Sequence, residues 1–125
     1  MSETADNPYE ALERIFHEPN RLAIMSAVCA SRKGLSFGEL KEACALTDGN
    51  LNRHLKVLED AGAIRIAKAF VNLKPRTTVR LSEAGVQRFS EYLGALAEVL
   101  TKARSALPVE QTSLQVMPSA RRARA

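Results

Sequence analysis

Asn50, Asn52, Arg53 and Lys56 fall within one short stretch of this 125-residue chain, and Lys74, Arg76, Thr77 and Thr78 form a second cluster further on. An asparagine amide offers a paired donor and acceptor that match an adenine edge, and a guanidinium offers two donors that match guanine. Lysine, arginine and threonine are the groups that hold phosphate oxygens. The chemistry available is therefore recognition of a polyanion with readable edges. No Ser/His/Asp order, glycine-rich phosphate loop or paired-carboxylate arrangement is present to suggest an enzyme.

The first cluster needs a helix to present it. Ser36-Phe-Gly-Glu39 has the pattern of a capping box, which opens a short helix carrying Leu40 and Ala43 and ending near Cys44-Ala45. Thr47 then caps a second helix, with Leu46 and Leu51 placed as a hydrophobic staple. Turning Leu51, Leu55 and Leu58 inward points Gly49, Arg53 and Lys56 outward, with Asn50 and Asn52 on the flanks. Gly49, having no side chain, permits close approach of the backbone to a groove wall. The free N–H groups at the helix start, with the Thr47 hydroxyl, favour phosphate. Asp48 is discordant there unless a cytosine amine or a neighbouring arginine meets it. Any amphipathic helix also shows a polar face to water, so this face alone does not decide the function.

The second cluster needs a hairpin. From Ala63 the apolar period changes to two, giving a strand through Ile64, Ile66 and on to Phe70 and Val71. Residues 72–76 read as a turn with a Lys-Pro-Arg tip, and Thr77–Leu81 as the antiparallel return. Ser82 caps a last helix, with Leu81 and Val86 in staple positions. Along it Val86, Phe89, Leu93, Leu96, Leu100 and Ala103 follow the spacing of a helix packed on another helix, until Pro108. Upstream, Tyr9, Leu12, Ile15 and Phe16 predict a short helix ending near His17. Pro19 opens another, carrying Leu22, Ile24, Met25 and Val28 and stopping around Arg32-Lys33-Gly34.

Composition bounds the rest. The length is that of one domain, 46% of residues are hydrophobic, and the formal charge is +4. Acids (Glu3, Asp6, Glu10, Glu13, Glu18) dominate the first residues, while the positive charge gathers on the helix and hairpin, where a polyanion would be met. Cys29 and Cys44 fall in apolar helical patterns and are expected as buried free thiols in a cytoplasmic protein. With His17 and His54 they lack the close spacing of a metal site, so neither metal nor cofactor is expected. No apolar run is long enough for a membrane span. Residues 1–7 and 108–125, the latter ending Arg121-Arg-Ala-Arg124, are expected to be disordered tails around a domain at 8–105.

The order helix, turn, basic helix, basic hairpin resembles the winged helix-turn-helix of small prokaryotic transcriptional regulators of the MarR/ArsR type. The matching stretches are Ser36–Lys41, Leu46–Leu55, Leu58–Gly62, Lys74–Gly85 and His17–Met25. The resemblance implies a mainly α fold with a small antiparallel hairpin, a recognition helix at 47–61, a wing at 72–77 and a C-terminal dimerisation helix at 82–105. It implies double-stranded DNA as partner, read at a pseudo-palindromic operator by a homodimer acting as a repressor, with helix 47–61 in the major groove and the wing 72–77 on the backbone or minor groove. Contacts to DNA are expected from Ser36, Thr47, Gly49, Asn50, Asn52, Arg53, Lys56, Lys74, Arg76, Thr77 and Thr78. Dimer contacts are expected from Val86, Phe89, Leu93, Leu96 and Leu100. Two alternatives stay open: a winged-helix module that binds protein through the same faces, and a regulator switched through the Cys44 thiol.

Overall fold

The computed structural model describes residues 8–108. A 3-10 turn at Pro8–Ala11 is followed by α1 (Pro19–Cys29), β1 (Leu35–Ser36), α2 (Phe37–Cys44), α3 (Asp48–Asp60), β2 (Ile64–Val71), β3 (Lys74–Leu81) and α4 (Glu83–Ala106). The strands form one antiparallel sheet in the order β1-β3-β2.

The helix starts follow from local chemistry. Glu18 caps α1 by accepting from the Arg21 N–H at 2.7 Å, and Pro19 fits the first turn, whose N–H would be unpaired anyway. At α2 both arms of the capping box form: Ser36 Oγ accepts from Glu39 N–H, and Glu39 Oε1 accepts from Ser36 N–H. The latter bond holds the Glu39 carboxyl below its usual pKa range, with the Ser36 hydroxyl and then Arg76 contributing. Thr47 and Ser82 cap α3 and α4 with the first arm alone, accepting from the Asn50 and Gly85 N–H groups. Between α2 and α3, Ala45 takes a left-handed conformation (φ 55°) that ends one helix and redirects the chain to the next.

Three expectations need correction. Residues 9–17 form no regular α-helix beyond the 3-10 turn; the apolar spacing there serves packing, because Phe16 is fully buried and Leu12 and Ile15 lie against the core. Helix α1 ends at Cys29, short of Arg32–Gly34, and leaves Cys29 exposed. Gly34 (φ 88°) instead makes the turn into β1, where a Cβ would come within 2.6 Å of the Val79 carbonyl. Strand β1 itself is an addition: two residues, Leu35 and Ser36, paired with Val79 and Thr78.

The core lies between α1, α2, α3, the sheet and the first half of α4. Phe16 meets Phe89 and Tyr92 edge-on at centroid distances of 5.4 and 5.7 Å, and Phe89 stacks on Tyr92 at 5.8 Å. Each such pair adds about 0.5–1.5 kcal/mol to the burial itself. Phe89 is thus occupied within its own chain, 2% exposed. The seam assigned to a partner divides accordingly. Phe89, Tyr92 and Ala95 face inward, Leu96 is half-buried against the core, and Val86, Leu93 and Leu100 face solvent.

The turn after α3 is fastened to α4 by three successive carbonyls. Ala61 O accepts from Arg88 Nη1 at 2.7 Å, Gly62 O from Ser82 Oγ at 2.6 Å, and Ala63 O from Ser82 N–H at 3.1 Å. Gly85 is required beside them, because any Cβ would collide with the Ala63 carbonyl. Arg88 also pairs with Glu13 at 2.8 Å, and its guanidinium lies 5.6 Å from the Phe16 ring centroid. The Glu13 bond raises the Arg88 pKa further above its ordinary value.

Candidate nucleic-acid interface

Helix α3 presents two faces of opposite character. Leu51, His54, Leu55 and Leu58 are buried, while Thr47, Asp48, Gly49, Asn52, Arg53 and Lys56 are exposed and Asn50 is half-buried. The buried side is anchored by a polar contact as well as by leucines. Arg21 donates to Ile15 O at 2.8 Å, and its Nη1 lies within hydrogen-bond reach of His54 Nδ1 at 3.2 Å. His54 therefore holds α3 onto α1 and is turned away from the outer face.

Gly49 has open space around the position of a Cβ and ordinary helical φ. Among the described residues nothing lies within 4 Å of that position. Asp48 is met by Lys41 of α2, whose Nζ lies 2.8 Å from Oδ1. Lys41 thus takes the place beside Asp48 expected of an arginine. The Asp48 hydrogen bond, then its charge, raises the Lys41 pKa. Lys56 pairs more loosely with Asp60 at 3.6 Å.

The hairpin differs from expectation at its tip. Val71 pairs with Lys74, so the turn is Asn72-Leu73 alone, both with positive φ (53° and 67°), the pattern of a type I′ turn. Lys74, Pro75 and Arg76 belong to β3. The I′ turn wins because its twist matches that of the two strands. Pro75 is tolerated because β3 has only β2 beside it at that level, so the missing N–H faces no neighbour.

Strand alternation sorts the wing cations onto two faces. Thr77 and Lys68, directly opposite one another, line a groove of about 680 Å³ against Asn52, Lys56 and Glu59 of α3. Arg76, Thr78 and Arg80 face the other way, beside Lys33 and Glu39, and Lys74 shares their parity. Arg76 lies 3.8 Å from Glu39. Ser36, half-buried, is committed to its capping box and pairs with Thr78 across the sheet. The groove thus joins Asn52, Lys56 and Thr77, while Arg76 and Thr78 form a separate basic surface. Lys68 was missed, though its place two residues before Phe70 on an alternating strand was available as a signal.

A helix with an exposed polar face, packed beside a basic hairpin and preceded by a short capped helix, is the arrangement of a winged helix. The family of winged helix DNA-binding domains matches residues 20–100. The chain belongs to that family. This winged-helix protein is 32% identical over 80 residues to an uncharacterized protein of Methanocaldococcus jannaschii, covering 64% of this chain and 86% of the relative. Its fold is similar to a transcriptional regulator homologue of Pyrococcus horikoshii OT3 (TM-score 0.70, 28% identity, 78% of this chain and 97% of that one). The MepR–DNA complex of S. aureus shares the fold at 16% identity and a TM-score of 0.65, covering 90% of this chain and 93% of that one. The matched family is one of DNA-binding winged helices, and the fold is shared with a transcriptional regulator homologue.

Cys44 is half-buried, and burial pushes its thiol pKa up, the direction opposite to that of a reactive thiol. Among the described residues no group of histidine, cysteine and carboxylate side chains could hold a metal ion, and no helix is long and apolar enough to cross a membrane. Apart from Pro108, the tails at 1–7 and 108–125 lie outside the described residues.

Proposed function

We propose that the protein is a homodimeric, sequence-specific regulator of transcription that represses by occupying a pseudo-palindromic operator in double-stranded DNA. The observation that carries this reading is the outer face of α3, where Asn52, Arg53 and Lys56 are exposed and Gly49 has open space about its Cβ position. Arg53, Asn50 and Asn52 are assigned to base edges in the major groove. Thr47, Lys56, Lys74, Arg76, Thr77 and Thr78 hold the backbone. Lys41 confines the one acidic group at the helix start, so the field there favours phosphate.

A second copy is supported by α4. Val86, Leu93 and Leu100 are exposed, and Leu107 just beyond the helix end is exposed too. They recur every seventh residue, which keeps one narrow apolar stripe along a helix, the signature of a helix–helix seam. A matched pair along this stripe gives two reading helices related by a two-fold axis, able to contact half-sites about one DNA turn, ~34 Å, apart.

Fluorescence anisotropy with genomic fragments selected by the protein tests the reading. Arg53→Ala is expected to cost ~1–3 kcal/mol and relax preference at one base position, whereas Arg76→Ala weakens binding to all sequences and reduces the salt slope by about 1. Undetectable duplex binding at low salt would remove the reading.

A further inference from the structure

The wing ends in a feature that phosphate binding does not require. Leu73 is 94% exposed, Phe70 76% and Val71 49%. Leu73 also occupies the second position of the type I′ turn with φ 67°, a place that suits glycine and strains a leucine. Asn72, at φ 53°, is a residue that tolerates this conformation. Leu73 therefore strains the backbone while burying almost nothing, and glycine would make the better turn. The fold gives no reason for a leucine at this point.

The surroundings point outward as well. β1 stops pairing with β3 at Thr78, and from there to Leu73 the hairpin runs on unsupported on that side for roughly 17 Å, at ~3.4 Å per residue. Phe70 stands opposite Pro75 and backs the tip with a second apolar pair. Lys74, exposed, follows Leu73 directly, and exposed Arg76 lies two residues further along β3 on the same strand face. An apolar point with cations close behind it complements the DNA minor groove, whose phosphate walls attract the charges while the floor offers sugars and base steps to an apolar wedge.

We propose that Leu73, backed by Phe70, is a wedge that enters the minor groove beside the operator half-site and partly unstacks one base step. The proposal rests on the DNA reading above and adds to it a deformation of the duplex. It follows that part of the sequence preference comes from a position where no base edge is read, favouring pyrimidine–purine steps, which kink readily.

Leu73→Gly is the discriminating variant, since it removes the wedge and relieves the turn, so the hairpin is kept. Energy transfer between dyes at the two ends of a selected duplex reports the bend. The wild type is expected to kink the DNA by roughly 20–90°. Leu73→Gly is expected to bind the same duplex with the bend reduced or abolished. Replacing the flexible step by a stiff A-tract should weaken the wild type more than Leu73→Gly. Binding with straight DNA, or an equal bend with both proteins, overturns the wedge, assigns the tip to another occupant such as a protein surface, and leaves the DNA reading intact. Absence of any duplex binding removes both.

Discussion

Lys41 Nζ lies 2.8 Å from Asp48 Oδ1, so the end of α2 is tied by an ion pair to the first residue of α3. Both groups are largely exposed, and such pairs contribute little to folding. The pair matters through what approaches it. Lys41→Ala leaves a bare carboxylate where phosphate is expected and should weaken duplex binding. Asp48→Asn should tighten binding and make Lys41→Ala nearly silent in its background. Anisotropy titrations on the four proteins check this; additive effects would show that the pair does not act at the DNA.

Gly49 and Gly85 should respond oppositely to alanine. Gly49 has open space around it, so Gly49→Ala is expected to preserve or raise stability, by up to about 1 kcal/mol, while lowering DNA affinity. Gly85→Ala drives a methyl into the Ala63 carbonyl and should lower the melting temperature sharply. Thermal melts paired with binding curves separate the two, and an unimpaired Gly49→Ala would move the close approach elsewhere.

The two sides of α4 make a third contrast. Leu93→Glu and Leu100→Glu place charge on the exposed stripe and are expected to give folded monomers on sizing chromatography. Phe89→Ala empties a core position and should cost ~3–5 kcal/mol in stability. A dimer that survives both stripe variants would place the interface elsewhere.

The thiols are expected to differ in reactivity. Cys29 is exposed, whereas burial raises the Cys44 pKa. Alkylation at neutral pH should modify Cys29 first, with Cys44 reacting only as the pH climbs past the ordinary thiol range. By linkage, the raised value makes the Cys44 contribution to stability complete below its unfolded pKa and lost as pH rises through the folded one. Mass spectrometry of a time course decides the order, and equal rates would reopen a switch at Cys44.

What the sequence discloses here is mostly local. The Ser36–Glu39 box, the Thr47 and Ser82 caps and the inward leucines of α3 each depend on residues three or four apart, and all are found as read. What escaped depends on distant partners. β1 is two residues long and exists only because Val79 and Thr78 lie beside it. The end of the wing was misplaced because Lys-Pro-Arg carries stronger turn chemistry than Asn-Leu, and only the register of β2 on β3 overrides it. The spacing of Phe89 on α4 could not say which neighbour it meets; Phe16, far away in sequence, decides that. In the candidate interface the outer α3 residues were legible from the heptad of leucines alone. Lys41 was not, because it gains its position from Asp48 on another helix, whereas strand alternation already offered Lys68.

The fastening of Ala61, Gly62 and Ala63 to Ser82 and Arg88 carries a mechanical consequence. The trailing end of α3 and the leading end of α4 form a rigid bracket, with the Glu13–Arg88 pair bracing it from the N-terminal side. In a pair joined along α4, rolling one long helix against the other would swing each α3 through the same arc. Half-site spacing then becomes a dimension machined into that joint, and anything that wedges between the long helices would detune it without touching a single base-reading side chain.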